Sequence, residues 1–302
     1  MVIKKNILIT GASGLIGKVL SKKLSEQGFN CITLTTSAVN DRPKTYMWNP
    51  ELKICDLLPH IEYYAVINLA GASIADTKWN RAGMELISFS RIDSTKYLKT
   101  IVNEFPNPPK HAISASAIGY YGFGTVEIKT EDSLNGNDFA ATVCRDWEHA
   151  ASNLKTNDTQ LSIIRIGIVL AQKGGFYKKI KDLTKYKIAA PLATGKQPVC
   201  WIHVDDLVNL FIEILENKIK PGTYNAVANT NTNKEITKSI ANQNGQYYGL
   251  PAVPAFLLKL IFGNKAEIFT EGSFVSNSKL LKEGFLFKYL DLDKAVSDLA
   301  NR

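Results

Sequence analysis

The sequence predicts an α/β fold: a doubly wound parallel sheet with helices on both faces, followed by a small C-terminal α/β lobe. Three observations carry this. Short apolar runs alternate with stretches of helical period from Asn6 to Leu170. A glycine run, GASGLIG, stands where the first apolar run passes into the first helical one. The alternation loosens after Gly174, and several short helical segments follow Asn233. The 302 residues suit one large domain with an appendage, and a chain of this length buries enough apolar surface to need no disulfide or metal staple.

NILIT (Asn6–Thr10) reads as a buried strand. Leu15–Gly28 reads as its helix, because Leu15, Val19, Leu20 and Leu24 share one face and Gly28 stops it. Cys31–Thr35 and Ala65–Gly71 read as strands, the second apolar throughout, as a strand covered on both faces is. One long helix is expected over Met84–Phe105, ended by NPPK. His111–Ser116 is a strand, Phe139–Leu154 a helix, and Leu161–Leu170 a single strand. WIHVDDLVNLFIEILEN passes from strand to helix, with Asp205 as the expected N-cap, and Thr223–Val227 is a strand.

The four cysteines, Cys31, Cys55, Cys144 and Cys200, are far apart and form no C-x-x-C pair, so reduced thiols of a cytoplasmic protein are expected. MVIKKNILIT enters a strand without a small-residue cleavage site, and no run reaches the length of a membrane span. The formal charge of +8 is spread along the chain with no aromatic-basic motif, which argues against nucleic acid and leaves an anionic small molecule as the simpler partner. A monomer or homodimer is expected.

Gly11, Gly14 and Gly17 give the chemistry its first residues. The first permits a tight turn, the second lets a diphosphate approach the backbone, and the third lets helix and strand pack closely. The amides of Ser13, Leu15 and Ile16 stand at the helix start, where the dipole favours anions. Thr36 and Ser37 end the second strand with no carboxylate before Asp41, and Arg42 and Lys44 follow. A missing acid favours NADP(H) while leaving NAD(H) open. Leu69, Ala70, Gly71 and Ser114 complete the expected cofactor set. His203, Asp205 and Asp206 read as a strand end and helix cap rather than as metal ligands.

GASGLIG, INLAGASI, SASAIGYYG and WIHVDDL resemble the extended short-chain dehydrogenase/reductase superfamily, the NAD(P)-dependent epimerase/dehydratases. NLAGASIADTKWN, DFAATVCRDWE, RIGIVLAQKGG and PAVPAFLLKLIFGNKAEIFTEG further resemble an atypical subfamily of epimerase family proteins that ends in a domain of unknown function. The resemblance implies a Rossmann-type sheet of about seven strands, a nicotinamide cofactor and a small C-terminal lobe on the substrate side, with 1–220 as the nucleotide-binding domain, 171–200 contributing to the substrate side, and 221–302 as the lobe. It also implies a Tyr-x-x-x-Lys pair on the helix at 139–154, where the lysine lowers the tyrosine's pKa for proton exchange. Here Phe139 and Val143 stand in those places, and no tyrosine occurs between Tyr121 and Tyr177. Ser116 and Tyr121 are the remaining candidates for proton chemistry, with shaping of the pocket as the alternative; Asp138 is a further candidate acid. Tyr177 and Lys181 form a Tyr-x-x-x-Lys in the wrong place. The lysines at 173, 178, 179, 181, 185 and 187 leave an anionic substrate open beside a solvated helix face. The two functional readings are an oxidoreductase or epimerase with a non-standard site and a non-catalytic NADP(H) sensor.

Overall fold

The computed structural model describes residues 5–37, 43–57, 61–124, 127–186, 188–245 and 248–302. Asp41, Arg42 and Lys187 lie outside the described residues. The strands are β1 (Asn6–Thr10), β2 (Asn30–Thr35), β3 (Thr45–Asn49), β4 (Ile54–Cys55), β5 (Ala65–Asn68), β6 (His111–Ala117), β7 (Gln160–Ile166), β8 (Ile168–Ala171), β9 (Pro198–His203), β10 (Thr223–Ala226) and β11 (Asn229–Thr232). The helices are α1 (Leu15–Glu26), α2 (Arg81–Phe89), α3 (Ile92–Asn103), α4 (Phe139–Ser152), α5 (Gly175–Lys185), α6 (Val204–Leu215), α7 (Asn233–Gln243), α8 (Ala255–Phe262), α9 (Glu267–Thr270), α10 (Ser278–Lys282) and α11 (Leu292–Asn301).

The large sheet runs β10-β7-β6-β5-β1-β2-β3-β4. All its neighbours are parallel except β3 and β4. The alternation along β1 shows why the fold is doubly wound. Ile7 and Ile9 enter a core with Leu20 and Leu24 of α1 and Leu207 and Phe211 of α6, whereas Leu8 enters a second core with Leu98 and Ile101 of α3. Period-2 side chains thus feed two layers, one on each face. Leu20 and Leu24 are fully buried, each contributing roughly 1.5–3 kcal/mol.

Three sequence expectations change. The helix expected over Met84–Phe105 is two, α2 and α3, parted at Ser90–Arg91. Ser90 leaves the helix because its Oγ accepts from the Ala72 amide at 2.9 Å and donates to the Ile87 carbonyl at 3.2 Å. The strand expected over Leu161–Leu170 is divided at Gly167 into β7 of the large sheet and β8 of a small one, β11-β9-β8. At Gly167 a Cβ would lie 2.8 Å from the Cys200 carbonyl oxygen, so the chain passes between sheets where only glycine fits. Finally, β10 pairs with β7, so a strand assigned by sequence to the 221–302 lobe completes the large sheet. The small sheet draws β8 and β9 from upstream and β11 from downstream of that division, and α7 and α11 pack together beside it.

Candidate functional site

The C-terminal ends of β1, β2, β5 and β6 meet at one edge, where open α/β sheets bind ligands. At its centre β1 turns into α1. Gly11 has φ +67°, and a Cβ there would lie 2.4 Å from the Leu69 carbonyl oxygen. A Cβ at Gly17 would lie 2.3 Å from the Gly11 carbonyl oxygen, so this buried glycine serves the helix–strand contact. Gly14 differs: it is exposed, and its added Cβ would meet only the Gly11 oxygen at 3.2 Å. Gly14 is the N-cap of α1 and no side chain caps the helix. The first amides of α1 are therefore left for an anion, and Ser13 beside them is exposed. A diphosphate fits this cradle.

The neighbouring loop is held from below. Thr10 Oγ1 donates to Asn68 Oδ1 at 2.7 Å and accepts from the amides of Leu69 and Ala70, both at 3.2 Å. Ser114 is fully buried beneath it, accepting from Asn68 Nδ2 at 3.4 Å. At the end of β2, Thr36 and Ser37 are exposed and carry no carboxylate. Lys44 is corrected: its Nζ donates to Asn30 Oδ1 at 2.5 Å, and Asn30 opens β2, at the strand's other end.

The stretch after β6 is a closed network. Ser116 Oγ donates to Glu148 Oε1 at 2.6 Å. Glu148 also accepts both arms of Arg165, Nε and Nη2, each at 2.8 Å. Arg165 Nη1 donates to the Tyr121 hydroxyl at 2.9 Å, and that hydroxyl donates to Asn225 Oδ1 at 2.7 Å. The guanidinium lies 3.6 Å from the centre of the Tyr120 ring. Ser116 and Tyr121 are buried, and burial pushes the Tyr121 phenol up to about 12 even with Arg165 beside it. Asp138, the other candidate acid, caps α4 by accepting from the Ala141 amide at 2.8 Å. Sequence reasoning missed Glu148 and Arg165; the available signal was an arginine inside the apolar run LSIIRIGIVL.

Comparison with known proteins agrees with this layout. Residues 7–226 match the NAD dependent epimerase/dehydratase family. The chain belongs to that family. Residues 253–299 match a domain of unknown function, DUF1731. The chain is 34% identical over 298 residues to the chloroplastic SDR39U1 homolog of Arabidopsis thaliana, an epimerase family protein, covering 94% of this chain and 83% of the relative. It is 31% identical over 300 residues to the epimerase family protein YfhF of Bacillus subtilis, covering 97% of each. The crystal structure of human epimerase family protein SDR39U1 (isoform2) with NADPH is similar, with a TM-score of 0.89 at 26% identity, covering 98% of this chain and 99% of that one.

At the start of α4, Phe139 and Val143 stand where the resemblance implies a tyrosine and a lysine. Phe139 packs edge-on against Trp79, with ring centres 5.2 Å apart, and Val143 is buried, so neither place carries a titratable group. The Tyr177 hydroxyl is bound by Asn244 Nδ2 at 3.2 Å, and its ring is buried in the core on α5. Lys179 of the same helix pairs with Asp76 at 2.7 Å.

The cap of α6 is His203 and not Asp205: its Nδ1 accepts from the Asp205 amide at 3.1 Å. His203, Asp205 and Asp298 come within 4.8 Å of one another. Arg302 holds both carboxylates, with 2.7 Å to Asp298, so the positive charge at this cluster is a guanidinium. Burial drives the His203 imidazole well below the ordinary histidine range.

Proposed function

We propose that the chain binds NADP(H) across the strand ends and uses it in hydride transfer with a small organic substrate, as an epimerase or oxidoreductase with a non-standard site. The observation that carries this is the open start of α1: an exposed Gly14, no capping side chain, and Gly11 and Gly17 packed where a Cβ would collide. The amides of Ser13, Leu15 and Ile16 would face the diphosphate, and Thr36 and Ser37 the adenosine ribose. Leu69, Ala70 and Gly71 would lie beside the nicotinamide half. The absence of a carboxylate at Thr36–Ser37 supports a 2′-phosphate, as does NADPH in the human relative. When bound, the nicotinamide ring supplies or accepts the hydride.

A second reading, a cofactor sensor without turnover, has its own support. Ser116 and Tyr121 already spend their protons on Glu148 and Asn225, and Phe139 and Val143 offer none. In both readings the Ser116–Tyr121 network shapes the pocket wall and holds β6 to β7.

Fluorescence titration with NADPH and NADH tests the cofactor, with tighter NADPH binding expected. Capture of neither nucleotide overturns the reading. Turnover on a panel of carbonyl compounds and nucleotide sugars then separates the two alternatives. Tight binding without turnover of any panel member selects the sensor.

A further inference from the structure

Two arginines of the upper sheet edge are buried, and they differ in company. Arg165 is chelated by Glu148. Arg91 is 9% exposed and, among the described residues, forms no ion pair. Its Nη1 donates to the Ile87 carbonyl at 3.2 Å and its Nη2 to the Ala72 carbonyl at 3.0 Å. Its guanidinium lies 5.3 Å from the Trp147 ring centre. Carbonyl dipoles and a ring face offset part of the desolvation of a cation, but burying one without a counter-charge remains costly. Arginine does not escape by deprotonation.

The surroundings indicate what the charge serves. A Cβ at Gly71 would lie 3.0 Å from Arg91 Cζ, so the guanidinium rests directly against that glycine. Gly71 is exposed and follows Leu69–Ala70, the segment that backs Gly11. On its other side Arg91 meets α4 at Trp147, one helical turn beyond Val143 on the same face. Val143 stands where the resemblance implies a lysine. Arg91 thus lies on the β5–β6 side of the glycine turn, away from the β2 end where the adenosine ribose is assigned. The interruption between α2 and α3 puts it there: Ser90 binds the Ala72 amide and Arg91 the Ala72 carbonyl, clamping the loop to the helix junction.

We propose that Arg91 supplies the fixed positive charge of the nicotinamide half of the groove, and that it makes the site select reduced over oxidised dinucleotide. This rests on the dinucleotide reading above. The two forms share every phosphate and differ by one positive charge on the ring. A guanidinium about 12 Å from the ring penalises only the oxidised form, by on the order of tenfold at an effective dielectric near 20, and by more if it is nearer. Arg91 is a positioning and specificity residue for the cofactor.

The test uses the full chain and dissociation constants for NADPH, for NADP+ and for 2′-phospho-ADP-ribose, which lacks the ring. Wild type is expected to hold NADPH about tenfold more tightly than NADP+. Arg91→Met is expected to bring that ratio close to one, and Arg91→Lys to keep most of it. The ringless ligand is expected to bind wild type and both variants alike, which also reports that they are folded. Equal affinity of wild type for NADPH and NADP+ overturns the proposal without any variant, should Arg91→Met fail to fold. So does an Arg91→Met that weakens all three ligands equally, since the charge would then serve the phosphates. If wild type binds none of the three, the dinucleotide reading itself has failed.

Discussion

At the glycine turn, α1 begins with no side chain capping its amides; much later in the chain, at the end of β6 and just beyond it, the hydroxyls of Ser116 and Tyr121 already have partners. Both regions lie at the same edge of the sheet. The first contains nothing reactive, yet Gly14 is open and the helix start is uncapped. The second contains Ser116, Tyr120 and Tyr121, yet Ser116 serves Glu148 and Tyr121 is held between Arg165 and Asn225. Residue type is therefore a poor guide here and unsatisfied bonding capacity a better one. A polar group with its bonds made inside the fold belongs to the fold; one left open is available to a ligand.

The largest effect should come from breaking the closed region. Glu148→Ala strands Arg165, whose side chain is 6% exposed, and is expected to cost about 3–5 kcal/mol in urea unfolding. A loss below 1 kcal/mol would mean that the network is loosely held. Tyr121→Phe should follow at about 1–3 kcal/mol, since it leaves Asn225 Oδ1 without its donor and Arg165 Nη1 with the Glu131 carbonyl alone. Its NADPH affinity should stay that of wild type. A substrate turnover that falls 100-fold or more while the melting temperature holds would instead make Tyr121 a proton donor.

The open region should respond in the opposite sense. Gly14→Ala brings its Cβ against the Gly11 carbonyl oxygen alone, a tight 3.2 Å that this exposed turn must widen slightly, so stability should fall by no more than about 1 kcal/mol. NADPH binding should weaken by on the order of tenfold or more, equivalent to about 1.4 kcal/mol, because the new methyl occupies the diphosphate's approach. Unchanged affinity would remove the contrast between the regions.

The smallest effect is a pH dependence outside both. His203 is buried and held neutral below its ordinary range, while in the unfolded chain it titrates near 6.5. As pH falls through that value the unfolded state takes up the proton first, so stability declines on acidification by up to about 1.4 kcal/mol per pH unit. The groups facing it are Asp205, Asp298, Lys288 and Arg302. Urea midpoints at pH 7.5, 6.5 and 5.5 should show the decline, and His203→Gln should remove it.

Much of this molecule was legible before any coordinates. Periodicity located β1, α1, β2, β5, β6 and α4, and GASGLIG located the uncapped turn into α1, because both depend on neighbours close in sequence. The missing Tyr-x-x-x-Lys was equally plain from Phe139 and Val143. What sequence could not reach depends on partners far apart in the chain. Gly167 divides an apolar run because Cys200 presses on it, and Ser90 interrupts a helix because Ala72 binds it. Tyr121 and Arg91 have no local signature at all. Whether a buried phenol or guanidinium is spent or free is decided by Asn225, Arg165, Ala72 and Trp147, and only the folded chain brings these within reach. Local periodicity and glycine sterics determined the fold and the uncapped start of α1; desolvation and long-range bonding, which exist only in the tertiary structure, decided which polar groups keep bonding capacity to spare.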